Sequence, residues 1–231
     1  MKAQAILFDF GGTLDSDGVH WSEQFFNAYR KLGCAVSRER FDVAFLEADR
    51  IIASSYDVRG YSMKRLLELQ VSLQFENLRF EDEDRKKEIV DGCYTSVKQT
   101  LARNRVSLAR LHERYKLGVI SNFNGNLDVV LREFNVDSLF DLVLDSGNLD
   151  VSKPDPRIFE LALERLKLNP SECYYVGDSF ERDIVPAKTA GLNTIWLRAA
   201  NGRTCPDASK VNHIISILPE IEHIFLEERS L

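Results

Sequence analysis

The chain has 231 residues, of which 44% are hydrophobic and 29% charged, with only 12 Gly and 6 Pro. Those proportions exclude a disordered or collagen-like chain, and at this length roughly 72% of the unfolded surface can be buried, enough for a core without disulfide staples. Against 36 acidic side chains stand 30 basic ones, and the formal charge of -6 offers no global attraction to nucleic acid or to an anionic membrane.

Length over about 150 residues per domain gives roughly one and a half domains, which fits one domain carrying a large insertion. Cys34, Cys93, Cys173 and Cys205 form no CxxC pair and no metal-type spacing with the four histidines, so they read as reduced thiols of a cytoplasmic protein. Asp9 cuts the first apolar run before a signal-peptide core can form. No stretch reaches the roughly 20 apolar residues of a membrane helix.

In chain order, AQAILF (3–8) is a short apolar run that stops at Asp9 and the pair Gly11 and Gly12, the pattern of a buried strand and a tight loop. From about Trp21 to Arg103 the pattern is helical throughout: WSEQFFNAYRKLG, SRERFDVAFLEADRIIASSY, SMKRLLELQVSLQ and EDEDRKKEIVDGCYTSVKQTLA. The run EDEDRKKE reads as a solvated helix start with its acids near the positive end of the dipole. The aromatics of FFNAY are helix-spaced and read as insertion core. Past the insertion, strand-like LGVIS, FDLVLDSG, YYVGDS and TIWL alternate with helical LDVVLREFN, KPDPRIFELALERLK and RDIVPAKTAG, and the chain closes on helical ILPEIEHIFLEE. Such alternation predicts a mainly parallel sheet covered on both faces. The expected fold is α/β, a Rossmann-like three-layer core from residues 1–15 and 104–231, with residues 16–103 as an inserted all-helical cap domain.

Ligands of an open parallel sheet gather at the carboxyl ends of its strands. Just after the predicted strands stand Asp9, then Ser121 with Asn122, then Lys153, then Asp178 with Asp183. A carboxylate there can attack phosphorus, further carboxylates can hold Mg²⁺ as hard oxygen ligands, and a hydroxyl and a cation can bind the remaining phosphate oxygens. Each residue also has an ordinary explanation. Asp9 can cap a turn, Ser121 and Asn122 can cap a helix, Asp178 can sit at a helix start, and most lysines are simply solvated. For Lys153, however, Pro156 suits a first helical turn with Asp155 as cap, and a cation beside a helix N-terminus is disfavoured without a compensating anion.

Taken together, DFGGTLD (9–15), SN (121–122), KPDP (153–156) and GDSFERD (177–183) followed by AKTAG resemble, in order and spacing, the motifs of the haloacid dehalogenase-like (HAD) hydrolase superfamily, and the insertion resembles its helical cap. The resemblance implies a Mg²⁺-dependent hydrolase acting on a small phosphorylated substrate, with no nucleic-acid or membrane partner, as a monomer or homodimer. It implies Asp9 as nucleophile, Asp9, Asp178, Asp183 and the Gly11 carbonyl around the metal, Ser121 and Asn122 on substrate, and Lys153 steadying both Asp9 and the transferring group. One position departs. The family's phosphatases usually carry a second Asp two residues after the nucleophile, as the acid that protonates the leaving group, and here that residue is Gly11. Losing such an acid costs on the order of 10² to 10⁴ in rate. Four alternatives stay open: a substitute acid brought from near the junction with the insertion, with Asp15, Asp17 and His20 as candidates; an activated substrate such as an acyl or aryl phosphate; a different chemistry, either 2-haloacid dehalogenation or phosphonate cleavage through Lys31 or Lys64; and a non-catalytic binding member of the fold. Arg59, in a polar interruption between two helices, is a further candidate to face substrate.

Overall fold

The computed structural model describes residues 3–199 and 204–226. Its sheet has six parallel strands in the order β3-β2-β1-β4-β5-β6, formed by β1 (Ala5–Phe8), β2 (Lys116–Ser121), β3 (Leu142–Asp145), β4 (Cys173–Gly177), β5 (Asn193–Leu197) and β6 (His213–Ile215). Helices α1 (Trp21–Lys31), α2 (Arg38–Ser55), α3 (Met63–Leu78) and α4 (Glu83–His112) lie between β1 and β2. The crossovers after β2, β3 and β4 carry α5 (Leu127–Glu133), α6 (Arg157–Leu166) and α7 (Val185–Thr189), and α8 (Ile221–Phe225) follows β6. This is the α/β Rossmann-like arrangement that the alternating pattern predicts.

Strand β1 is buried along its whole length. Its pleat sends Ile6 and Phe8 into one core with Val119 and Val176, and Ala5 and Leu7 into a second core with Ile120, Tyr175 and Phe159. Two-sided burial explains why the strands read as apolar runs without polar alternation. The first core continues into the inserted helices through Phe25, Tyr29, Phe41 and Phe75, so the aromatics of FFNAY pack inward as expected. Helix α4 starts as read, with Asp82 accepting from Arg85 N and with Glu83 and Asp84 in the first turn.

Four details differ from the sequence pattern. Helix α4 runs unbroken through residues 103 and 104, so the expected boundary between insertion and core falls within one helix. Strand β6 went unread because three residues are too few to show a period; it exists because β5 offers it a pairing edge, Ile195 against His213. Pro156, not Asp155, sits at the N-cap position of α6, while Asp155 Oδ1 still accepts from Arg157 N at 2.9 Å. The closing helix holds Ile221–Phe225, and residues 227 and 228 of the expected segment lie outside the described ones.

Phe8 lies on the central strand and is fully buried. Replacing it by Ala is expected to cost about 3–5 kcal/mol of stability, read as a lower urea midpoint with an unchanged m-value.

Candidate active site

The register places the reactive residues on one edge. Phe8 pairs with Val119 and with Val176, so the next residue, Asp9, stands beside Ile120 and Gly177, and Ser121 and Asp178 follow one residue further along β2 and β4. Asp9 is fixed by its own backbone, its N–H donating to Val176 O at 2.9 Å. After it the chain turns sharply through Gly11 and Gly12. Gly12 has φ +93°, and a Cβ there would meet Asp178 Oδ1 at 2.4 Å, so only glycine admits the β4 loop this close. A Cβ on Gly177 would likewise strike Asp183 at 2.4 Å.

Lys153 is buried at this edge. Its Nζ donates to Asp183 Oδ1 at 2.6 Å and to the Tyr175 hydroxyl at 2.9 Å, and stands 2.8 Å from Asp9 Oδ1 in an ion-pair contact off the hydrogen-bonding direction. Burial alone would lower the ammonium's pKa, but the charges of Asp183 and Asp9 outweigh it and raise it. Tyr175 completes the arrangement by donating to Ile120 O at 2.9 Å. Sequence reading missed Tyr175. The available signal was its place in YYVG, on the strand face that also carries Leu7 and, by the same alternation, Asp9. Asp183 Oδ2 accepts from Ser179 N at 2.9 Å. Its carboxyl is pushed up by burial, against the lowering effect of Lys153.

One oxygen of each of Asp9, Asp178 and Asp183 lies within 4.8 Å of the others. Burial, then the charges of Asp183 and Asp9, push the Asp178 carboxyl well above the usual carboxylate range. Three carboxyl groups this close beside a single ammonium form a donor set of hard oxygens, which fits a divalent cation of the Mg²⁺ type that would displace their protons. Gly11 and Ser121 line the same cleft. Asn122 also lines it, but its side-chain amide clamps the backbone of Lys153, donating to its O at 2.7 Å and accepting from its N at 2.8 Å. Its side chain therefore positions Lys153.

The cleft between the sheet edge and the inserted helices encloses about 490 Å³. From the insertion it receives Trp21, Phe25, Phe45, Asp49 and Gln70, and from the core Phe123 and Arg182; none of these was read from the sequence as part of the site. His20 lines it too, but burial, then Arg182 and Arg38, lower its pKa. A histidine held neutral is a poor proton donor. Lys31, Lys64 and Arg59 are absent from the lining: Lys64 pairs with Asp91 at 2.9 Å and Arg59 with Asp57 at 2.9 Å.

Behind the turn, Asp15 is fully buried. It accepts from Gly12 N, Ser16 Oγ and Trp21 Nε1, each at 2.8 Å, and so ties the loop after Asp9 to the first inserted helix. Burial pushes its carboxyl up to about 7 from 3.8, against those three hydrogen bonds.

The family model for haloacid dehalogenase-like hydrolases matches residues 3–191. This chain is therefore a member of the haloacid dehalogenase-like hydrolase family. It is 40% identical over 85 residues to the Rhythmically expressed gene 2 protein of Drosophila melanogaster, covering 36% of this chain and 33% of that protein. It is 37% identical over 112 residues to the pyrimidine 5'-nucleotidase YjjG of Escherichia coli, covering 47% of this chain and 49% of that one. The chain thus spans half or less of these two curated relatives. A solved dehalogenase structure shares the fold over 98% of this chain and 99% of its own, with a TM-score of 0.67 and 21% identity.

A carboxyl whose folded pKa is raised favours folding most at low pH and loses that contribution as pH climbs to the folded value. For Asp15 the loss falls between about pH 4 and 7 and is on the order of 4 kcal/mol. Asp15→Asn is expected to show a smaller fall in unfolding free energy between pH 4.5 and pH 7.5 than the native protein, measured by urea titration at both. An equal fall would mean that Asp15 titrates normally.

Proposed function

We propose that the protein is a Mg²⁺-dependent phosphatase of small phosphorylated substrates, with Asp9 as nucleophile. The carrying observation is the convergence of Asp9, Asp178 and Asp183 around the buried Lys153 at the carboxyl end of the sheet. A mere scaffold has no use for three carboxylates held so close, since their mutual repulsion costs stability. The 5'-nucleotidase relative, itself acting on a phosphate ester by its name, supports the same direction.

Asp9, Asp178, Asp183 and the Gly11 carbonyl would hold the ion, which when bound neutralises charge on the phosphate oxygens. A carboxylate oxygen of Asp9 forms a bond to phosphorus, and the bond from phosphorus to the ester oxygen breaks, giving an aspartyl phosphate. Lys153 keeps its charge beside Asp9 and offsets the negative charge of the transferring group. Ser121 donates its hydroxyl to a phosphate oxygen. Water then cleaves the aspartyl phosphate, releasing phosphate and restoring Asp9. The inserted helices cover the cleft and limit water.

Gly11 brings no side chain to the leaving oxygen, so the leaving group departs as its own anion, and its acidity sets the rate. Dehalogenation is the weaker reading: it resembles the metal-free branch of the family, for which a cluster of three carboxylates has no purpose. With Mg²⁺ present, p-nitrophenyl phosphate and acetyl phosphate are expected to turn over about 10² or more faster than simple alkyl phosphates, and chelation should abolish turnover of all of them. Equal kcat values for the two classes, or release of halide from 2-haloacids in the same screen, would overturn this reading.

At Gly11 the backbone angles of φ -73° and ψ 117° suit any residue. A Cβ would stand 3.4 Å from Trp21 Cδ1, ordinary contact. Gly11→Asp is accordingly expected to fold and to raise alkyl phosphatase activity by about 10² or more, assayed by phosphate release. Unchanged activity in a folded variant would show that proton supply does not limit the reaction.

A further inference from the structure

On α2 and α3, every residue lining the cleft is apolar except Asp49 and Gln70. These two are joined, Gln70 Nε2 donating to Asp49 Oδ1 at 2.8 Å. Gln70 is 6% exposed, so its amide is held in place by packing, while Asp49, exposed overall, lines the cleft and has its carboxyl pushed up to about 6 by desolvation there. The bond consumes one donor of the amide and one oxygen of the carboxylate. It leaves Asp49 Oδ2 and Gln70 Oε1 without a hydrogen bond to any described residue, and both are acceptors. The pair therefore brings two further acceptor oxygens to residues that line the cleft, where a donor-bearing group can satisfy them.

The surroundings narrow the class of that group. Trp21, Phe25, Phe45 and Phe123 line the same space, and ring faces favour a flat partner. Arg182, from the core, lines the cleft as well, and its charge bears on both Asp49 and His20. A cationic substrate group would meet that guanidinium, whereas a neutral N–H or O–H donor would not. The volume of about 490 Å³ admits a phosphorylated ring compound with its phosphate at Asp9.

We propose that Asp49 and Gln70 are specificity-determining residues that recognise, in the leaving group, a planar ring carrying a neutral hydrogen-bond donor edge such as a carboxamide or a heterocyclic amine. This deepens the phosphatase reading and rests on it for its kinetic test. A purely structural role, tying α2 to α3, would move stability but not the choice between substrates.

Two esters with closely similar ring electronics isolate the donor: 4-carbamoylphenyl phosphate, which carries an amide N–H, and 4-(methoxycarbonyl)phenyl phosphate, which does not. The native protein is expected to favour the first by roughly tenfold in kcat/KM, as for one hydrogen bond to a charged acceptor in a solvent-open site. In Asp49→Ala and in Gln70→Leu the ratio is expected to fall toward one, and because the ratio is taken within each variant any general loss cancels. A native ratio near one, or a ratio unchanged in Asp49→Ala, overturns the proposal while leaving the phosphatase reading intact. If Asp49→Ala does not fold, the native ratio and Gln70→Leu decide. If neither ester is hydrolysed, the phosphatase reading fails, and ligand-observed NMR with 4-hydroxybenzamide against methyl 4-hydroxybenzoate decides this proposal separately. Preferential binding of the amide supports it, and equal or undetectable binding overturns it.

Discussion

The arrangement at the sheet edge depends on one buried ammonium. Lys153 is 5% exposed and reaches Asp9, Asp183 and Tyr175 together. Lys153 is the cation next to both carboxyls: its charge lowers the Asp183 pKa, but burial outweighs that and still pushes it up. A protonated carboxyl is a poor nucleophile and a poor metal ligand. The backbone clamp by Asn122 and the hydroxyl of Tyr175, itself anchored on Ile120 O, hold that ammonium in register. Strands β2 and β4 thus both contribute to placing one charge.

Electrostatic balance also explains why the acidic cluster suits a divalent ion. One ammonium cannot compensate three carboxyls so close together, and burial followed by their mutual repulsion pushes Asp178, and burial pushes Asp183, toward the protonated form. Where an ion is bound, the same carboxylates would ionise readily, so metal affinity and proton release are linked. Gly12 and Gly177 are the backbone counterpart of this crowding, because a methyl group at either position would collide with a carboxylate.

Two residues after Asp9, the absence of a side chain at Gly11 coincides with the approach of the Trp21 indole, which donates to Asp15. The loop that would ordinarily present an acid instead packs against the inserted helices through Asp15, Ser16 and Trp21. Through Asp15 this loop ties the sheet edge to the insertion, while Gly11 brings no side chain of its own. The cleft wall so formed is largely aromatic, with Asp49 and Gln70 as its polar break.

The alternation of apolar runs with helical periods was enough to read five of the six strands, the helical insertion and the residues at the strand ends, because two-sided burial and the carboxyl-end rule act locally along the chain. Asp9, Ser121, Lys153, Asp178 and Asp183 were legible for that reason. Strand β6 was not, since only the edge of β5 makes three residues into a strand. Nor were Tyr175, Asp49, Gln70, Trp21 and Arg182, whose neighbours in space lie far away in sequence, nor the clamp that Asn122 places on Lys153. Local sequence determined which elements form and where charge accumulates; tertiary packing alone decided which side chains meet, because burial and distance, and with them pKa and hydrogen bonding, exist only once the helices have closed over the sheet.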